Sequence, residues 1–168
     1  MNYFYFSNNK QIAVALDDIN QIDTVFLDLE VLGKVERQAG TNSLISSHTY
    51  NDIEIISKSV KNTSIGVRIN PINLNSKNEI EECIKRNVDI IMLPMFRDKD
   101  EVVKCLNLIK DRCQLDLLFE TPQSLENIVR FPLSNIRYVH FGINDLSIAL
   151  KYKNMFNCFF TGILEEPI

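Results

Sequence analysis

Apolar and polar positions along this chain follow two alternating rhythms. Short, nearly continuous apolar runs stand at residues 3–7, 24–29, 65–70, 89–94, 116–120 and 137–142. Val25-Phe26-Leu27 and Ile90-Ile91-Met92-Leu93 are unbroken, the pattern of parallel strands covered on both faces. Between the runs, apolar residues recur at helical spacing. Ile53, Ile56 and Val60 make one face, Val102, Cys105, Leu106, Ile109 and Cys113 a second, and Leu125, Ile128 and Val129 a third. Helix starts are marked too. Thr49-x-x-Asp52 and Ser76-x-x-Glu79 have capping-box form, the first with Asp in place of Glu. Asp98-x-x-Glu101 places acid at the positive end of a helix dipole. Thr121-Pro122 puts proline where a first turn tolerates it.

Strand–helix alternation of this kind predicts an α/β fold with a parallel sheet and right-handed crossovers. The longest step lies between the second and third runs and carries an extra loop, residues 31–48. No Gly-x-Gly-x-x-Gly follows a strand and no phosphate-loop motif occurs, which argues against a nucleotide-binding sheet. Near the end, Phe156, Phe159, Phe160, Ile163 and Leu164 form an apolar helical face, expected as core or subunit contact, and Glu165-Glu166-Pro167 has the form of a further helix opening.

At 168 residues the chain is expected to form one domain, residues 1–168. Its 18 basic and 22 acidic residues leave a net charge of −4. With no basic tract, nucleic acid is not the expected partner, whereas a small anion needs only one or two placed cations. Cys83, Cys105, Cys113 and Cys158 lack zinc-knuckle spacing, so free thiols in a reducing, cytoplasmic setting are expected. The first residues carry no signal-peptide pattern, and no segment approaches the length of a membrane span.

In parallel α/β folds, chemistry sits at the C-terminal ends of the strands. Polar residues stand there after four of the runs: Asp28 and Glu30, Arg68 and Asn70, Glu120, and Asn144 with Asp145. A carboxylate so placed is expensive to bury unless it is paired or bound to a cation. Glu120 and Asp145, at neighbouring strand ends, suit a hard octahedral cation, Mg²⁺ or Mn²⁺. Simpler roles also exist: a strand-end salt bridge for Glu120 and a helix N-cap for Asp145. His48 reads as a solvated loop residue and His140 as a hydrogen-bonded residue inside a strand. Lys34, Glu36 and Arg37 read as a solvated charged loop, with carboxylate binding by Arg37 as the sharper alternative. No lysine follows the later strands at the mouth, which disfavours Schiff-base chemistry.

Five segments carry a family resemblance. Phe26-Leu27-Asp28-Leu29-Glu30, Val67-Arg68-Ile69-Asn70, Met92-Leu93-Pro94, Phe119-Glu120-Thr121 and Phe141-Gly142-Ile143-Asn144-Asp145-Leu146 resemble, in order, the motifs of the HpcH/HpaI aldolase and citrate lyase β-subunit family. The resemblance implies a parallel (β/α) barrel of the TIM type, here with about six of eight units and so C-terminally short. It implies a divalent metal on Glu120 and Asp145, Arg68 beside the substrate carbonyl, and Asp28 and Glu30 as the acidic cluster that handles the proton. The implied activity is carbon–carbon cleavage of a 2-oxo acid, hydroxy acid or acyl-CoA-type substrate through a stabilised enolate. Met95 stands where CoA-using members commonly carry lysine. A homo-oligomer is expected, because an open sheet leaves edges to cover. The alternative is a non-catalytic or fragmentary relative that acts as a subunit or binding module.

Overall fold

Each of the six apolar runs forms a strand. In the computed structural model, which describes residues 3–19, 22–37, 46–126, 128, 131–132 and 136–164, these are β1 (Phe4–Phe6), β2 (Thr24–Asp28), β3 (Ser64–Arg68), β4 (Ile90–Leu93), β5 (Gln114–Phe119) and β6 (Val139–Phe141). They pair in sequential order, β1-β2-β3-β4-β5-β6, and every pairing is parallel. Helices alternate with them: α1 (Lys10–Ile19), α2 (Lys34–Arg37), α3 (Tyr50–Ser57), α4 (Ser76–Ile84), α5 (Lys99–Ile109), α6 (Pro122–Glu126), α7 (Ile143–Ala149) and α8 (Asn157–Phe160). When successive parallel strands add on the same side, right-handed crossovers put their helices on one face of the sheet.

The period of two along each strand sorts its residues between the two faces. Val25, Leu27, Ile65, Val67, Ile91, Leu93, Leu115, Leu117 and Phe119 join the main core with Ile53, Ile56, Ile80, Cys83, Val102, Cys105 and Ile109 from the helices. Phe26, Ile90, Met92 and Leu118 form a second, smaller cluster with Phe4 on the inner face. There the sheet curls into a half-barrel. Phe4 of β1 lies edge-on to Tyr138 at 5.4 Å and to His140 at 5.2 Å, so the first and last strands meet across the concave side through their rings.

The start signals hold in part. Thr49 and Asp52 form the full capping box of α3, and Asp98 caps α5 by accepting the Asp100 and Glu101 N–H groups. Ser76 and Glu79 do not form a box. Asn75 occupies the cap position, Ser76 Oγ accepts from Asn73 N, and Glu79 takes the side-chain amides of Asn70 and Asn73. Of the face expected through Leu125, Ile128 and Val129, Leu125 lies in α6 and in the core and Ile128 packs against it; Val129 and residues 165–167 lie outside the described residues. All four cysteines are free thiols, three of them buried. Among the described residues no helix is long and apolar enough to cross a membrane.

Candidate functional site

The C-terminal ends of the strands gather the polar residues that the sequence singled out. Register pairs Asp28 with Arg68 directly. Arg68 Nε and Nη2 donate to the two Asp28 oxygens at 2.9 and 2.7 Å, a fork on one carboxylate. Two residues on, Glu30 is fully buried, its Oε2 lying 3.5 Å from Arg68 Nε.

The segment after β2 then turns back into the site. Gly33 adopts a left-handed φ of +69°, which costs glycine nothing, and the turn brings Lys34 under Asp28. Lys34 is 2 % exposed, with Nζ 2.5 Å from Asp28 Oδ2 and 3.7 Å from Glu30 Oε2. Arg37, one helical turn later, donates from Nη2 to Glu30 Oε1 at 2.6 Å and from Nε to Asp145 Oδ1 at 3.3 Å. Lys34 and Arg37 are therefore not solvated loop residues, whereas Glu36 is exposed. A buried acid pair recruits the two cations, because a carboxylate stripped of water needs a counter-charge. The sequence did carry a signal for this: two acids, then glycine, then Lys-x-x-Arg, with Glu30 and Lys34 four residues apart.

Two further residues brace the segment. Asn70 Oδ1 accepts the N–H groups of Val31 and Leu32, and its Nδ2 donates to Glu79. Asn70 is thus a latch for the loop after β2. His48 is half-buried and reaches the mouth, where its Nδ1 accepts the Asp28 N–H at 2.9 Å. Burial lowers its pKa, and that hydrogen bond puts the ring proton on Nε2.

Glu120 follows β5 and is 2 % exposed. Met95, held at a positive φ of 55°, points its N–H at Glu120 Oε1 with a distance of 3.1 Å. On the other side the carboxylate lies beneath Gly142, where an added Cβ would fall 2.6 Å from Oε2. Asp145 stands in the first turn of α7, whose N-cap is Gly142. It is therefore neither the N-cap nor a strand-end residue.

The charges are unequal. Asp28, Glu30, Glu120 and Asp145 face Lys34, Arg37 and Arg68, and Glu120 has no cation in contact among the described residues. Burial, then the nearby charges of Glu30 and Asp145, push the Glu120 carboxyl up to about 8 against the opposing pull of Arg68 and the Met95 N–H. Asp28 goes the other way. Burial raises its pKa, but the hydrogen bonds and charges of Arg68 and Lys34 outweigh that and hold it well below the ordinary carboxylate range. A divalent cation held by Glu120 and Asp145 would supply the missing charge. Among the described residues no group of three His, Cys, Asp or Glu side chains is placed to hold a metal. Water or substrate oxygens would therefore complete the coordination sphere, as is usual for Mg²⁺.

A cavity of about 410 Å³ opens over this cluster. Lys34, Arg68, Glu120, Asn144 and Asp145 line its polar side, and Phe6, Met92, Leu118, His140 and Phe141 its floor and open flank. A larger hollow of about 980 Å³ lies at the opposite ends of the strands, beside Ser64, Asp89 and Gln114. Two of its charged residues are used structurally: Asp89 accepts the Ile65 N–H, and Arg112 pairs with Glu81. The chain matches no family model and no curated protein.

Proposed function

We propose that this chain belongs with the HpcH/HpaI aldolase and citrate lyase β-like enzymes, that its curled sheet is part of a TIM-type barrel, and that it cleaves a carbon–carbon bond in a small 2-oxo or hydroxy acid with Mg²⁺ or Mn²⁺. The observation that carries this reading is the Glu120 carboxyl, buried next to Glu30 and Asp145 and with no cation in contact among the described residues. Glu120 and Asp145 would hold the metal. When bound, the metal supplies Lewis-acid polarisation of the substrate's keto oxygen.

The protein's own residues do the rest. Asp28 occupies two of the three Arg68 nitrogens, which leaves Nη1 to donate to the oxygen on which enolate charge develops. Donors fixed before reaction need not reorganise as that charge appears. Lys34 and Arg37 neutralise Asp28 and Glu30, so the mouth keeps a net attraction for a carboxylate substrate once a divalent cation is present. Met95 offers no lysine charge for a coenzyme, in keeping with a small free acid rather than a CoA thioester.

Calorimetric titration with Mg²⁺ and Mn²⁺ tests the reading. One cation should bind per site and binding should be lost in Glu120→Gln, with wild type cleaving a 4-hydroxy-2-oxo acid in the presence of Mg²⁺. Equal affinity in wild type and Glu120→Gln would overturn the metal assignment. Metal binding without cleavage of any 2-oxo or hydroxy acid would instead favour a non-catalytic subunit.

A further inference from the structure

The lyase reading needs a group that carries a proton, and Asp28 and Glu30 are poorly placed for it. Asp28 is committed to Arg68 twice and to Lys34 once; Glu30 lies among Arg37, Lys34 and Arg68. Neither lines the cavity, and neither does His48, whose Nδ1 is taken by the Asp28 N–H. Among the described residues, the carboxyl and imidazole groups that line the cavity are Glu120, Asp145 and His140. The first two are the metal ligands of the reading above.

His140 is held in an unusual way for an inner-strand residue. Its Nε2 lies 3.1 Å from Asp116 Oδ2. Asp116 is fully buried, its second oxygen accepts the Tyr138 N–H at 3.2 Å, and its one ion-pair partner among the described residues is His140. Phe4 at 5.2 Å, Phe26 at 6.4 Å and Tyr138 at 6.5 Å meet the imidazole edge-on and fix its plane. A histidine that merely filled the apolar floor would be served by a backbone carbonyl. Burying a carboxylate behind it costs free energy, and what it provides is a fixed tautomer and a counter-charge for an imidazolium.

We propose that His140, held by Asp116, is the catalytic acid–base residue of this site, with Asp116 as its positioning residue. This rests on the lyase reading. Asp116 accepts from Nε2–H, which leaves the lone pair on Nδ1. Nδ1 takes the proton of the substrate's C4 hydroxyl. The C3–C4 bond breaks, its electron pair passes into the enolate of the 2-oxo acid, and C4 with its oxygen departs as an aldehyde. The imidazolium then returns the proton to C3. One hydroxy-oxo acid becomes one aldehyde and one 2-oxo acid, with no further reactant.

Exchange of the methyl protons of pyruvate in D₂O with Mg²⁺, followed by proton NMR, isolates the C3 proton step. Wild type should exchange. His140→Gln and Asp116→Asn should lose on the order of 10²–10⁴ in rate, with pyruvate affinity by calorimetry unchanged within about threefold. Exchange retained in a folded His140→Gln overturns the assignment while leaving the lyase reading intact. Absence of exchange in wild type brings down both. One measurement needs no variant. The chain has two histidines, and a long-range proton–nitrogen spectrum of wild type should show both neutral rings protonated at Nε2. A signal from Nδ1–H on His140 overturns the proposal even if neither variant folds.

Discussion

Glu120 and Arg37 show, at the scale of single residues, how one surplus charge organises a site. The folded chain holds a proton on Glu120 up to about pH 8, whereas its ordinary value is 4.5. Between those values the unfolded chain has released the proton and the folded chain has not, so stability falls as pH rises through that window. Asp28 has the opposite sign: its folded pKa is depressed, so its contribution is present above its ordinary value of 3.8 and is lost as pH falls below it. Thermal melts of the metal-free protein from pH 5 to 8 should decline, and Glu120→Gln should flatten that slope. Mg²⁺ bound at Glu120, as proposed, must displace the same proton. Titrations at pH 7 in buffers of different ionisation enthalpy should then report release of about one proton per ion bound. Arg37 acts on the same balance from the other side. Its guanidinium sits on Asp145 at 3.3 Å, where it competes with any cation. Arg37→Gln should bind Mn²⁺ about tenfold more tightly or better, the equivalent of about 1.4 kcal/mol. Unchanged or weaker affinity in calorimetry would show that Arg37 does not compete.

Elements are positioned here as much by side-chain clamps as by propensity. Asp17 near the end of α1 is buried and accepts the N–H groups of Lys61, Asn62 and Thr63, which ties the approach to β3 onto α1. Burial raises its pKa, but those backbone hydrogen bonds prevail and lower it. Asn70 does the corresponding work for the loop after β2. Neither clamp has a sequence signature, because each joins residues about 40 positions apart. The α3 cap is local and legible: Thr49 Oγ1 accepts the Asp52 N–H at 3.3 Å and Asp52 Oδ2 takes the Thr49 N–H at 2.7 Å. Thr49→Ala should cost about 1 kcal/mol in urea unfolding, with metal affinity unaltered. A loss of affinity would mean that α3 supports the mouth, through the adjoining His48, more directly than its distance along the chain suggests.

At the scale of the whole molecule, several of the exposed large apolar side chains among the described residues lie by the two ends of the sheet. Tyr3 and Tyr5 by β1, Val139 and Phe141 on β6, and Phe156, Phe159 and Phe160 around α8 are all exposed, Phe160 by 85 %. Of the late apolar face, Ile163 and Leu164 pack against the core while the three phenylalanines do not. Edge strands and clustered aromatics favour association. Light scattering over a dilution series should therefore give a mass above that of a single chain at micromolar concentration. A monodisperse single chain with cooperative unfolding would count against it.

The sequence by itself determined the strand–helix order, all six strands to within about two residues at each end, the free cysteines, and the residues Asp28, Glu30, Arg68, Glu120 and Asp145 as polar groups at one end of the sheet. These are local properties: the period of an apolar run, a cap, a charge placed where a strand stops. Tertiary structure decided how those charges combine. Only the return of the chain at Gly33 turns Lys34 and Arg37 from a charged loop into the counter-ions of Asp28, Glu30 and Asp145. Only the curl of the sheet sets Phe4 against His140. Pairing is a matter of distance in space, and burial then multiplies its energy by removing the water that would screen it. A sequence therefore names the charges but does not say which of them will be left without a partner.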